Sequence, residues 1–254
     1  MMIWDTFMFR NELDMAQCRF EEFEAYGVEV NHVLVESLQD FHGRDKPLFY
    51  AANEGRFNRW WDKIFHVVVP ELPDAEDPWV REHAQRDAMC ATIDKLAADD
   101  DLVLIADADE IPAQHLMTYG GPPAGLLMRT CHSAVDWLYP APMPGSVIGL
   151  AKYIKGQKLS AVRDGRPAYR LLADGGWHLS WLGGPQAQNE KLTVSCHREL
   201  PDLERRILAG GHGYYHGEHH DVQMVAVDVD GTWPRYVRER RCPPNWFRPR
   251  PGSV

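Results

Sequence analysis

No stretch of this chain approaches the ~18 consecutive apolar residues that a membrane-crossing helix requires, so no membrane span is expected. The opening Met-Met-Ile-Trp-Asp has neither a basic region nor a cleavage site. The fold is therefore expected to begin at the first residues and the chain to stay in the cytoplasm. Cysteine is scarce: Cys18, Cys90, Cys131, Cys196 and Cys242 are odd in number, scattered, and include no CxxC pair. That excludes a disulfide framework or a zinc ribbon and suits a reducing compartment. Positive charge is the minority sign, with 27 Lys and Arg against 37 Asp and Glu, a net −10. An acidic chain gains nothing from phosphate counterion release, so bulk nucleic-acid binding is not expected. The tail is the local exception; Arg235, Arg238, Arg240, Arg241, Arg248 and Arg250 read as a solvated surface. There is no Walker lysine loop and no HxxEH metal helix.

What is present is 254 residues, 44% hydrophobic, enough for one large α/β domain or two small ones. Strand-like and helix-like segments alternate in the first half. Met2 to Phe9 reads as a strand, and Leu13, Ala16, Phe20 and Phe23 recur at helical spacing. Gly27 stands where that helix should stop. Val28 to Val35 and Lys63 to Val69 read as the next strands. Asp77-Pro78 resembles an N-cap followed by proline at the first helical position. Val80, Ala84, Ala88 and Ala91 are expected to form that helix's buried face. Leu102 to Ala106 is a short, wholly apolar strand, such as a parallel sheet buries on both faces. The order implies a mostly parallel sheet covered by helices, with ligands outside the carboxyl ends of its strands. Gly125 to Tyr139 reads as a long strand or hairpin arm, Ala173 to Pro185 as a loop, Leu203 to Leu208 as a short helix, and the chain from Pro234 as a surface wrap. With no repeat and no linker, the expectation is one domain with two halves, residues 1–118 and residues 119–254.

Three polar clusters follow strands: Arg10-Asn11-Glu12, Glu36-Ser37 and Asp107-Ala108-Asp109-Glu110. Residues two apart on a strand share a face. Asp107 and Asp109 can therefore converge at the ligand edge, where hard oxygen ligands suit Mn²⁺ or Mg²⁺. Such an ion neutralises a diphosphate leaving group.

Asp107-Ala108-Asp109-Glu110-Ile111-Pro112 resembles the signature of glycosyltransferase family 17. The opening Trp4 to Asp14, Val33-Leu34-Val35-Glu36-Ser37, Lys46-Pro47-Leu48, Gln85-Arg86, Gly176-Trp177-His178-Leu179-Ser180-Trp181 and Asp230-Gly231-Thr232-Trp233-Pro234 are similar to further family segments, in order along the chain. One departure is Gln186 after Pro185, where the enzyme adding bisecting N-acetylglucosamine has an acid. The resemblance implies a GT-A-type fold with residues 1–118 binding the nucleotide sugar and residues 119–254 the acceptor, a donor that is typically UDP-N-acetylglucosamine, and inversion at the anomeric carbon.

Other residues fill out the expected site. His178 can offer a ring nitrogen to the metal, and Trp177 or Trp181 an apolar platform for a sugar face. Lys191 can reach the diphosphate as a point charge. Asn11, Glu12 and Glu36 stand where base and ribose would lie, or cap helices instead. Arg86 is expected either to pair with Asp109, Glu110 or the donor phosphate, or to hold the acidic loop in place as an ion pair. Glu110 is the first choice for the base that takes the acceptor's hydroxyl proton, with Asp136 and Glu218 as others. His212, His216, His219 and His220, interleaved with glycines, read as a lid rather than a zinc site. The implied partners are a nucleotide-sugar donor and a hydroxyl acceptor of saccharide type. Rival readings are a metal-dependent phosphohydrolase or nucleotidyltransferase, and a non-catalytic carbohydrate-binding protein.

Overall fold

The computed structural model describes residues 1–194, 196, 212–215 and 218–248. In chain order the elements are β1 (Ile3–Met8), α1 (Leu13–Tyr26), β2 (Val30–Ser37), α2 (Phe49–Asn53), β3 (Ile64–Val69), α3 (Pro78–Asp87), α4 (Cys90–Leu96), β4 (Leu102–Asp107) and β5 (Glu110–Pro112). Then come β6 (Ala124–His132), β7 (Ala134–Leu138), β8 (Met143–Leu150), α5 (Leu159–Asp164), β9 (Leu171–Leu172), β10 (Gly176–Ser180) and α6 (Gly184–Val194). The last are β11 (His212–Tyr215), β12 (Glu218–Gln223), β13 (Val225–Ala226) and α7 (Arg235–Arg238).

One sheet runs in the order β13-β7-β6-β8-β4-β1-β2-β3, with β10 beside β5 and β6, and β9 beside β6. The block β3-β2-β1-β4 is parallel, as expected. From β8 onward the sheet turns largely antiparallel, because β6, β7 and β8 are joined by short connections that reverse the chain. The architecture is thus α/β with a mixed sheet rather than a mostly parallel one. Period-two alternation divides the core: Trp4, Val33, Val103 and Ile105 pack on one face with Met89 and Ile93. Ile3, Leu102 and Leu104 pack on the other with Phe23 and Ile148. In register, Met8 lies opposite both Val35 and Asp107. The residues following β1, β2 and β4 therefore share one edge of the sheet.

Gly27 ends α1 in the left-handed region, φ 67°, which a residue with a Cβ enters only at a cost. Asp77 caps α3 by accepting from the Trp79 backbone N–H at 2.9 Å. The face that α3 buries is not the expected apolar one. Val80 is 44% exposed and Ala91 is exposed, whereas Glu82, Gln85 and Arg86 are buried. This face packs over the strand ends, where polar partners are on offer. Ala173 to Pro185 is not wholly a loop either. Gly176, at φ 117°, lets the chain pass against the Ile111 carbonyl, and β10 follows it. The C-terminal segment also departs from a surface wrap: Tyr236, Val237 and Trp246 are buried in a cluster with Trp177 and Trp233. Leu203 to Leu208 lies outside the described residues. Among the described residues no helix is long and apolar enough to cross a membrane.

Candidate active site

The chain leaves β4 at Asp107 and enters β5 at Glu110, so the whole acidic motif is one tight turn at the ligand edge. Buried cations hold it from two sides. On the α1 side, the Arg19 guanidinium, fully buried, donates to the Asp107 carbonyl at 3.3 Å and to the Glu110 carbonyl. Asp5 neutralises Arg19, and His32 Nδ1 lies 2.8 Å from the same carboxylate. On the opposite face, Arg163 of α5 donates to Asp107 Oδ2 at 2.6 Å and to both Glu110 oxygens at 2.9 Å. Arg86 of α3 donates to Asp107 Oδ1 at 2.8 Å, to Glu82 at 2.6 Å and to the Ala106 carbonyl at 3.0 Å.

This network gives the three carboxylates different tasks. Burial alone would raise the Asp107 carboxyl, but Arg163 and Arg86 hold it well below the ordinary range. Glu110 is 1% exposed and also accepts from the Asp107 backbone N–H and from Ser146 Oγ, each at 2.9 Å. Burial works to raise Glu110 and Arg163 lowers it, and the arginine wins. A carboxylate so occupied is a poor proton acceptor for an incoming hydroxyl. Glu110, the expected base, is instead an anchor of the turn.

Asp109 faces the other way. Its Oδ1 is 3.4 Å from His178 Nε2 and its Oδ2 is 3.2 Å from Lys191 Nζ. His178 is placed by β10, which pairs it with Glu110 in register, and Leu179 N–H donates to the Asp109 carbonyl at 2.8 Å. Lys191 comes from α6. Burial would raise Asp109 and depress both His178 and Lys191; the mutual attraction lowers the acid and raises the two bases. The side chains of His178 and Lys191 are 24% and 37% exposed, so the cluster opens to solvent.

Among the described residues no group of three or more His, Cys, Asp or Glu forms a metal cluster. The expected trio of Asp107, Asp109 and His178 is therefore reduced to a pair. Both Asp107 oxygens are taken by arginines, whose charge opposes a second cation. Asp109 and His178 fit an ion that fills its remaining positions with phosphate oxygens and water, as Mn²⁺ and Mg²⁺ do.

Other expectations come out differently. Glu36 is fully buried, accepts twice from the Tyr50 backbone N–H at 3.0 Å, and meets His66 Nε2 at 3.0 Å. It closes the first turn of α2 and presents no free oxygen to a ribose. Arg86, 2% exposed, pairs with Asp107 rather than with Asp109, Glu110 or a donor. Asn11 is exposed at the edge, while Glu12 accepts from the Arg10 and Asn11 backbone N–H groups. Trp177 is 6% exposed and stacks on Trp233, with centroids 3.9 Å apart; Trp181 is 8% exposed. These rings are packing, not an open sugar platform. Asp136 is bound by the Arg248 backbone N–H and Nε, each at 3.0 Å. Within the expected lid, residues 212–215 and 218–223 pair as the antiparallel β11-β12 ladder; His216 and Gly217 lie outside the described residues. Arg163 and Arg19 escaped the sequence reading. Arg163 lies on a six-residue helix 53 positions from Glu110, with no local pattern to mark it. Arg19 sits within a recognised helix, where a charge on the apolar side was the available signal.

The model of glycosyltransferase family 17 matches residues 1–183, and the chain belongs to that family. The match includes the Asp107–Glu110 turn and His178, and stops short of Lys191. A search of solved structures finds the catalytic domain of Drosophila beta-1,4-galactosyltransferase 7 in complex with xylobiose. That domain is 10% identical, with a TM-score of 0.35 over 68% of this chain and 64% of the other. This chain thus spans less than two thirds of that domain. No curated protein sequence matches the chain.

Proposed function

We propose that the protein is an inverting transferase moving N-acetylglucosamine from UDP-N-acetylglucosamine to a hydroxyl of a saccharide acceptor, with Mn²⁺ or Mg²⁺ bound beside Asp109. The observation carrying this reading is the trio of Asp109, His178 and Lys191 at the carboxyl end of β4. A divalent ion there supplies Lewis-acid charge to the diphosphate leaving group. Asp109 and His178 are the side chains that would hold it. Lys191 donates to a diphosphate oxygen as a flexible point charge. Asp107 and Glu110, locked on arginines, keep the turn rigid, so that charge developing on the leaving group meets preorganised partners. The acceptor proton passes to a base outside this turn, since Glu110 has no free oxygen. Family membership favours this reading over a phosphohydrolase or a carbohydrate-binding scaffold.

The test is UDP release from UDP-N-acetylglucosamine, measured with Mn²⁺ and again with excess chelator, followed by proton NMR of the transferred anomeric centre. Metal-dependent release and an inverted product are expected. Absence of both UDP release and donor binding in Mn²⁺ overturns the proposal.

A further inference from the structure

Arg10 and Lys46 stand side by side at the edge where the Asp107–Glu110 turn lies, and the catalytic trio uses neither. Arg10 follows β1 directly. Lys46 is brought to the end of β2 by a reversal of the chain: its backbone N–H donates to the Leu38 carbonyl at 2.8 Å, and Gln39 pairs with Asp45. Arg10 Nε and Lys46 Nζ are both shielded from solvent and find no hydrogen-bond acceptor among the described residues. Lys46 Nζ has only the face of Phe49, 5.8 Å away.

The carboxylates near Lys46 are already engaged. Glu36 serves the Tyr50 N–H and His66. Asp40 serves the His42 N–H and Arg44. Glu12 serves the backbone of Arg10 and Asn11. Burial pushes the Lys46 ammonium down from its ordinary range, outweighing the Glu36, Glu12 and Asp40 charges that raise it, and the Arg10 charge adds to the downward push. Two mutually repelling cations, each with a buried nitrogen lacking an acceptor, are costly to fold. An anion placed between them satisfies both nitrogens and removes the repulsion.

The surroundings indicate which anion. Met8 lies opposite both Val35 and Asp107, so Arg10, Lys46 and the turn holding Asp109 sit past the carboxyl ends of the neighbouring strands β1, β2 and β4, the edge at which sheets of this kind bind ligands. We infer that Arg10 and Lys46 form a phosphate cradle that holds the diphosphate of the donor from the side opposite Asp109. This rests on the proposed nucleotide-sugar reading but assigns two residues to which that reading gives no role. Asn11, exposed between them and Glu12, is left to the neutral part of the ligand.

The experiment is calorimetric binding of uridine, UMP, UDP and inorganic pyrophosphate, each with Mn²⁺. It compares the full chain with Arg10→Gln, Lys46→Gln and the double variant. UDP and pyrophosphate affinity should fall about tenfold for each single change, some 1.4 kcal/mol, while uridine affinity stays constant. The unliganded melting temperature should not fall, since each change relieves repulsion. Arg10→Lys and Lys46→Arg, which keep the charge, should restore much of the affinity. Unchanged UDP and pyrophosphate affinity in the double variant overturns the cradle. So does an equal loss for uridine, which would put these side chains on the base. If the parent chain binds pyrophosphate through Arg10 and Lys46 but no uridine nucleotide, the cradle stands and the donor reading fails. If it binds neither, both fail. Should the double variant not fold, the single and charge-keeping variants decide.

Discussion

Asp107 and Asp109 are two residues apart in one turn and share no side-chain partner. Asp107 offsets two buried guanidinium groups, whereas Asp109 faces two partly exposed groups, one of which can lose its proton. Neutralising Asp107 therefore takes away charged hydrogen bonds of two buried guanidinium groups, leaving Arg86 on Glu82 and Arg163 on Glu110, at a cost of about 1.5–3 kcal/mol. Neutralising Asp109 does not. Asp109→Asn is expected to keep the melting temperature within a few degrees and to lower turnover at least about a hundredfold, ~2.7 kcal/mol in the transition state. Asp107→Asn should show the larger loss of stability in denaturant titrations. Were Asp109→Asn the more destabilising change, the division of labour would be wrong. His132 gives a second residue-scale prediction. It is 2% exposed, and burial, aided by Lys191 and His178, pushes its pKa down to about 3. Unfolding exposes an imidazole that takes up its proton near 6.5. Between pH 6.5 and about 3 the unfolded chain thus binds one more proton at this site. Stability falls as pH falls through that window, with a slope near 1.4 kcal/mol per pH unit. His132→Gln should flatten that part of the stability curve in urea titrations at several pH values; an unaltered slope would assign it to other groups.

Helix α1 acts on the site through one side chain and ends through one glycine. Replacing Arg19 by methionine keeps the stem against Phe7 and Phe23 but leaves Asp5 buried with only His32. It also frees the Asp107 and Glu110 carbonyls. A stability loss of about 3–5 kcal/mol is expected, together with lower turnover per folded molecule because the turn is no longer pinned. Full activity in the folded fraction would show that α3 and α5 hold the turn without it. Gly27→Ala is the contrasting change at the same element. An added Cβ meets nothing within 4 Å, so only the left-handed backbone at φ 67° resists it. About 1–2 kcal/mol should be lost with turnover unchanged. The comparison shows what sequence periodicity can reach. β1 to β4, Gly27 and the Asp77-Pro78 cap are legible because each depends on residues within a few positions. The buried face of α3 is misread because period-3.6 reasoning assigns burial to apolar residues, whereas Glu82 and Arg86 are buried by partners far along the chain. Asp109 is legible as the second acid of a strand-end motif, and His178 and Lys191, expected at the metal and the diphosphate, lie beside it. That Asp107 serves arginines instead is not, because Arg163 comes from an unmarked helix on the far side of the sheet.

At the scale of the molecule, the division at residue 118 does not coincide with a break in the fold. β4 pairs with β1 on one edge and with β8 on the other, so the two halves join in one continuous sheet at the β4-β8 pair. The core cluster containing Ile3, Val30 and Leu102 also contains Leu126, Met128 and Ile148. The carboxylates of Asp107 and Glu110 are neutralised largely by Arg163, which lies beyond the division. A fragment of residues 1–118 would expose the β8 edge of β4, open that core and leave Glu110 buried without its cation. It should therefore not fold cooperatively alone, and its far-ultraviolet circular dichroism should show no sigmoidal thermal transition. For the full chain, loss of secondary structure and loss of aromatic tertiary signal should follow one coincident transition. The two probes sample both halves, since Trp4 and Trp60 report on one and Trp177 and Trp233 on the other. Two separated transitions, or a cooperatively folded 1–118 fragment, would show that the first half is an independent unit. Loosening the second half could then no longer affect the acidic turn through folding. A single transition instead ties substitutions at Arg163 to the geometry of Asp109, because the turn and the second half fold together.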